Sequence, residues 1–413
     1  MLNSLSRKTS TPSSAEAQRR LTYFKDRSDQ IVATIRELVE IESPSDNKPA
    51  ADCLAELIAE KFSRLGGEIR FHRAKDFGNH LQVNFGGKSA KPVLLLGHYD
   101  TVYPVGTLAS MPCSVIGNKL TGPGVLDMKS GIALMLHAIA ALQQWHKDAA
   151  PKPDWNKEGW RSEENRGELP RPINILLVSD EEVGSDSSRK ITQALAKRAA
   201  SVLVLEPSYG RQGAAKTARK GVGDYRIKVT GKASHAGLDF QKGINAILEL
   251  ARQIEKISSF TELEKGLTVN VGVVSGGSRT NVVPAEATAQ IDVRIARLKD
   301  ATGIDKKMRS LRPFNRKCKI EVTGGINRPP MERTAGVAAL YAKAKSIASE
   351  LGWKLAEAAV GGGSDGNFTA ALGIPTLDGL GAAGDGAHAP HEHILISELP
   401  RRAALIAGLI ELI

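Results

Sequence analysis

Histidine and carboxylate side chains stand where apolar runs end, at His98, Asp127, Glu182, Glu206 and His388. The run VLLLG delivers His98 and, two residues on, Asp100. INILLVSD delivers Glu181 and Glu182, SVLVLE delivers Glu206, and Asp127 opens an apolar helical stretch after Gly-Pro-Gly. Ligands of open α/β sheets bind beyond the carboxyl ends of the strands. Three strands ending in imidazole or carboxylate therefore point at one shared site. Nitrogen and oxygen donors without cysteine suit zinc, with cobalt, manganese or nickel as substitutes. The consecutive acids Asp180, Glu181 and Glu182 would repel one another unless a cation neutralised them. One glutamate can then bind metal while its neighbour handles protons. Asp127, with two carboxylate oxygens, is the best candidate to bridge a pair of cations about 3.5–4 Å apart, which together polarise a carbonyl. Asp100 has the place of a carboxylate that fixes the tautomer of a ligating His98.

Each of these residues also has a plainer reading. A lone histidine or aspartate at a strand end is usually a cap or a satisfied core group, and Asp127 at a helix start fits an N-terminal cap. Successive candidates lie 29, 55, 24 and 182 residues apart, so only the fold can assemble them.

The elements that must do so alternate. Residues 31–41 and 51–67 have helical spacing, the second stopping at Gly-Gly. EIRFHR, LQVNF and VLLLG read as strands, followed by a helix from Asp127 to about His146. Residues 147–171, dense in charge and proline and carrying Trp155 and Trp160, read as a surface loop. From Gly221 the order becomes β-α-β-β-α-β, a ferredoxin-like unit of about 105 residues. Helix-strand alternation then resumes and brings His388, so the unit is an insert within one catalytic domain. The expected organisation is a flexible N-terminal arm over 1–27, catalytic segments over 28–212 and 327–413, and an insert over 213–326. The fold class is α/β, a mixed central sheet flanked by helices with an inserted ferredoxin-like domain.

Composition bounds the partners. The 413 residues are 41% hydrophobic and 24% charged, as in an ordinary globular protein. The apolar stretch 132–142 is shorter than a membrane span, and residues 1–20 lack the apolar core of a signal peptide, so no membrane partner is expected. Three scattered cysteines favour a reduced, cytoplasmic protein. The net charge of +11 is concentrated: residues 188–232 hold eleven Lys/Arg against two acids, and 294–319 hold ten against two. Aromatic residues are only 5% of the chain, which argues against nucleic acid and leaves a solvated basic face or steering of an anionic substrate.

Taken together, GHYDTV, GPGVLDMKSG, SDEEVGS, LEPS, GKASHAG, GGGSDG and GAHAPHE resemble the M20 metallopeptidase family, most of all its glutamate carboxypeptidase branch. The likeness runs in order from about residue 28 to the end. It implies that His98, Asp127 and Glu206 hold one zinc, that Asp127, Glu182 and His388 hold the other, and that Asp127 bridges them. It implies Glu181 as general base and Asp100 as the residue that orients His98. His235 would reach a partner subunit's site in a homodimer formed through the insert and stabilise the tetrahedral oxyanion. Asn281 and Arg294, with the loop containing Gly362 and Ser364, would hold the substrate's carboxylate. Away from the family, His235 reads as a turn cap and Arg294 as half of a structural ion pair. Ser130 stands where the family often has glycine; His391 and His393 rival His388, but the Gly-x-His context favours His388 and leaves the other two to the surface. The activity implied is hydrolysis of the amide bond to a C-terminal amino acid, glutamate or another acidic residue, in an N-acyl or peptidyl substrate. An N-acyl-amino-acid deacylase and a catalytically inactive metal-binding protein are the alternatives; Glu181 argues against the second.

Overall fold

The computed structural model describes residues 14–87, 91–148 and 169–413. Most of the segment expected to be a loop, residues 149–168 with Trp155 and Trp160, lies outside them. The chain divides into two compact units: residues 1–217, 333–358 and 364–413, and residues 218–332 with 359–363. Against the boundaries expected from sequence, the insert starts and ends five to six residues later and also takes the glycines at 361–363.

The first unit is built on a six-stranded sheet in the order Glu68–His72, His80–Phe85, Ile173–Val178, Val93–His98, Ser201–Val204 and Thr376–Leu377. The first two pairings are antiparallel and the rest parallel. Val93–His98 and Ser201–Val204 are buried along their whole length, as strands covered on both faces must be. Alternate side chains serve two cores. Val93, Leu95, Ile175 and Leu203 pack on one face, while Leu94, Leu96, Leu176 and Val204 pack on the other. Because the three central strands run parallel, their carboxyl ends share one edge, and the segments beyond that edge carry His98, Asp180–Glu182 and Glu206.

Two expectations need correction. The N-terminal arm is helical from Ser14 to Lys25 and buries Ala17, Leu21 and Phe24, with Phe24 edge-on to Trp145 at 5.8 Å. Apolar residues at i, i+4 and i+7 make a helix face that docks on the core. The second concerns the apolar helix after Asp127. Residues Val125–Lys147 are together long and apolar enough to cross a membrane, yet 83% of the most apolar window is buried inside the protein. That apolarity is consumed by the core. Regular helix begins at Ser130, after a kink in which Asp127 has φ −115° and ψ 94°. Asp127 is therefore neither helical nor an N-terminal cap.

The second unit is a four-stranded antiparallel sheet in the order Thr268–Gly276, Glu286–Ile295, Gly221–Thr230 and Lys319–Arg328. Helices Ala246–Ser258 and Lys299–Arg309 cover one face around Tyr225, Ile227, Ile291 and Val293. This is the β-α-β-β-α-β order read from the sequence.

Candidate metal centre

Two groups of side chains converge beyond the shared strand edge. In each, the ligand atoms lie within 4.8 Å of one another: His98, Asp127 and Glu206 in one, Asp127, Glu182 and His388 in the other. Asp127 belongs to both. Its Oδ1 is 3.1 Å from His98 Nε2, and its Oδ2 is 3.6 Å from His388 Nε2. His98 Nε2 also lies 3.4 Å from Glu206 Oε1, and His388 Nε2 lies 3.1 Å from Glu182. His391 and His393 stand outside both groups.

Each ligand has a cause for its place. His98 is fully buried, and its Nδ1 meets the Asp100 carbonyl at 3.0 Å and the Asp100 carboxylate at 3.4 Å. With Nδ1 occupied in this way, Nε2 is the nitrogen that faces Asp127 and Glu206, and in the neutral ring its lone pair is available to a cation. Asp100 does more than orient a ring: it accepts the Ser45 hydroxyl at 2.7 Å and the Glu182 N–H at 3.2 Å, with Glu181 N–H at 3.4 Å. It thereby joins the end of one strand to the turn that carries both glutamates. Asp180, also fully buried, accepts Ser187 N–H and hydroxyl and Ser188 N–H, which closes that turn. His388 sits at φ +62°, a left-handed conformation that costs a non-glycine residue about 1–3 kcal/mol and fixes where its ring points. Behind Glu206, Gly381 donates its N–H to the Glu206 carbonyl at 2.9 Å. A Cβ at Gly381 would stand 2.2 Å from the Leu205 carbonyl oxygen, so only glycine fits.

The electrostatics describe a cation site. Burial disfavours the imidazolium of His98, yet the carboxylates of Asp100, Asp127 and Glu206 hold its pKa well above the ordinary range. Burial also works against the Asp127 carboxylate, but His388 and His98 hold it far down. Asp127 and Glu182 together raise His388 to about 10. Burial pushes Glu182 up, and the nearby Asp127 adds to this. Among the described residues, the only positive groups facing Asp127 and Glu182 are imidazoles. Carboxylates facing imidazoles in this way match the donor set of divalent zinc or a related metal. The residues fit such ions.

Two residues in this framework escaped the sequence. Glu392 is fully buried and accepts N–H groups from Leu126 at 2.7 Å, Asp127 at 3.0 Å and Gly124 at 3.0 Å. Arg402, also fully buried, donates to the carbonyls of Gly381 at 2.7 Å, Gly213 at 2.8 Å and Gly379 at 2.5 Å. Glu392 had a signal, an acid inside the returning motif GAHAPHE, but the histidines beside it are the more conspicuous donors.

His235, Asn281, Arg294 and Gly362 belong to the second unit. His235 is exposed and its Nδ1 accepts N–H groups from Gly237 and Leu238, both at 3.1 Å. Asn281 is its neighbour, accepting the Ala236 N–H at 2.9 Å on its carbonyl. Arg294 is held by Asp292, two residues away on the same strand face, through Nε at 2.9 Å and Nη2 at 2.8 Å. The Gly362 carbonyl accepts from Arg219 at 3.3 Å. Ser364, in the first unit, is fully buried and gives its hydroxyl to Asp378 at 2.6 Å. What it lends its loop is shape.

The chain is similar to known proteins over most of its length. Residues 94–151 match the family described as peptidase family M20/M25/M40, and residues 217–313 match the peptidase dimerisation domain. Carboxypeptidase G2 of Pseudomonas sp. (strain RS-16) is 31% identical over 396 residues, covering 93% of this chain and 89% of that protein. Two solved structures share the fold. A tripeptidase from Staphylococcus aureus has a TM-score of 0.73 at 22% identity, covering 93% of this chain and 98% of that one. An M20 family metallo-carboxypeptidase from Sulfolobus solfataricus has a TM-score of 0.69 at 18% identity, covering 92% and 98%.

Proposed function

Because the chain belongs to the M20 family of metal-dependent peptidases, we propose that it is a two-zinc carboxypeptidase-type hydrolase. It releases a C-terminal amino acid, glutamate or another acidic residue, from an N-acyl or peptidyl group. The observation that carries this reading is the double membership of Asp127, one carboxylate shared by two three-residue ligand groups. When bound, two such ions lower the pKa of water and polarise the scissile carbonyl.

The protein's own groups divide the remaining work. Glu181, beside the ligand Glu182 and outside both ligand groups, takes the proton of the attacking water and hands it to the leaving nitrogen. Asp100 orients His98. His235 accepts two backbone N–H groups on Nδ1, so the proton of its neutral ring lies on Nε2. That donor serves the tetrahedral oxyanion in the site of a partner subunit. Asn281 and Arg294, with the loop through Gly362 and Ser364, hold the α-carboxylate of the leaving amino acid. Residues 218–332 carry 21 Lys and Arg against 12 Asp and Glu, a field that draws an acidic substrate. The homodimer forms through the insert, whose edge strand Thr268–Gly276 leaves Val273 and Val274 exposed and whose helix exposes Ile247 and Leu248. A reducing, cytoplasmic setting fits three unpaired cysteines.

Elemental analysis of zinc-supplemented protein tests the centre. Two ions per chain are expected, with both lost in Asp127→Ala and one weakened in Glu182→Ala or Glu206→Ala; one ion or none in the native protein sinks the paired reading. A panel of N-acyl amino acids and dipeptides then separates the carboxypeptidase from an N-acyl-amino-acid deacylase.

A further inference from the structure

The geometry points to Glu392 as the residue that positions the shared carboxylate of Asp127 and ties it to His388. Glu392 is in neither ligand group, so it acts through other residues. Both of its oxygens are used, Oε1 by the N–H groups of Leu126 and Asp127 and Oε2 by that of Gly124. These donors belong to the kink before the helix at Ser130, where no helical carbonyl is available to take them. A fully buried carboxylate is costly to place, and a turn that only needed closing would be served by a hydroxyl or an amide.

The other end of Glu392 reaches the second ligand. Its own N–H donates to the carbonyl of Ala389 at 3.0 Å, in the turn just after His388. The Tyr103 hydroxyl donates to the same carbonyl at 3.1 Å. One residue therefore fixes the backbone on which Asp127 hangs and closes the turn on which His388 stands. The consequence is a site whose spacing is set before any ion arrives, so that binding does not have to order the loops.

The assignment rests on the two-ion reading above, and one experiment keeps them apart. Zinc affinities of native protein and Glu392→Gln are measured by chelator competition, with melting of the metal-free proteins alongside. The amide keeps the shape but puts a donor against an N–H group. Both affinities should fall together, by about 10–100-fold, because Asp127 serves both ions. Glu206→Ala and Glu182→Ala should each lower one. If Glu392→Gln folds and binds both ions within twofold of the native protein, the assignment is overturned, whatever its melting temperature. Should that variant not fold, Glu392→Asp, which keeps the charge and shortens the reach, is measured in its place under the same criterion. If neither folds, Glu392 is a folding residue and the assignment is overturned as well. A native protein with one ion, weakened in Glu392→Gln, would sink the paired centre and leave the positioning role standing.

Discussion

His98, in the catalytic unit, is fully buried and touched by three carboxylates, whereas His235, in the insert, is exposed and touched by backbone N–H groups of its own turn. The same side chain is thus prepared for opposite tasks. Around His98, oxygen atoms converge on a point that only a cation can neutralise, and buried groups such as Asp100, Glu392 and Arg402 hold the backbone beneath them. Around His235, the ring is fixed in tautomer but faces solvent, beside Leu238, which is 82% exposed. In the proposed roles, a metal ligand and an oxyanion donor to a partner subunit, the two histidines are different kinds of functional residue. Variants should separate them.

The largest effect is expected at Glu181. Glu181→Gln keeps the shape and the metals but cannot accept a proton, so turnover should fall by about 10²–10⁴-fold with substrate affinity near normal. Loss of metal would show that Glu181 and Glu182 have exchanged roles. His235→Ala should cost about 10²–10³-fold in turnover with metal content unchanged. Mixing it with Glu181→Gln and allowing subunits to exchange should restore up to about a quarter of native activity, since half of randomly formed dimers are mixed and half their sites are whole. A mixture that stays dead after co-purification has shown exchange removes the trans-site role.

A smaller effect tests the framework beneath Glu206. Arg402→Met removes the donor of three buried carbonyls and should destabilise the protein by about 3 kcal/mol in a denaturant titration. No change would mean that the loop through Gly379 and Gly381 holds itself. The smallest effect uses a third histidine as a control on the first. His137 is half-buried on the long core helix beside Thr34, with no carboxylate paired to it among the described residues; burial, with the charges of Lys61 and Arg27, pushes its pKa down to about 4. The native state therefore binds fewer protons than the unfolded state. Its contribution to stability is present above about pH 6.5 and is lost as pH falls toward 4, about 3 kcal/mol before solvent screening of this partly exposed ring reduces it. His137→Leu should flatten that part of the pH–stability curve. An unchanged slope would show that burial alone does not set this histidine's titration.

Apolar runs ending in His98, Glu182 and Glu206 were legible because a strand buried on both faces leaves a continuous hydrophobic signature, and the residues just beyond such a strand must lie at the sheet edge. The β-α-β-β-α-β order was legible for the same kind of reason, since periods of two and 3.6 alternate in sequence. The helix Ser14–Lys25 was missed because one weakly apolar face is not read as structure until the core it docks on is known. Asp127 misled in another way. Its sequence context is that of a helix cap, and the kink that turns it toward both histidines donates its N–H groups to Glu392, 265 residues away. The sequence by itself determined which residues have metal-binding chemistry and which runs become strands and helices, because periodicity and donor type are local properties. Tertiary structure alone decided that Asp127 leaves the helix for a kink bonded to Glu392, that Arg402 holds the carbonyls of Gly213, Gly379 and Gly381, and that Arg294 is engaged by Asp292, because each depends on where the chain returns after long separations or on which face two side chains share.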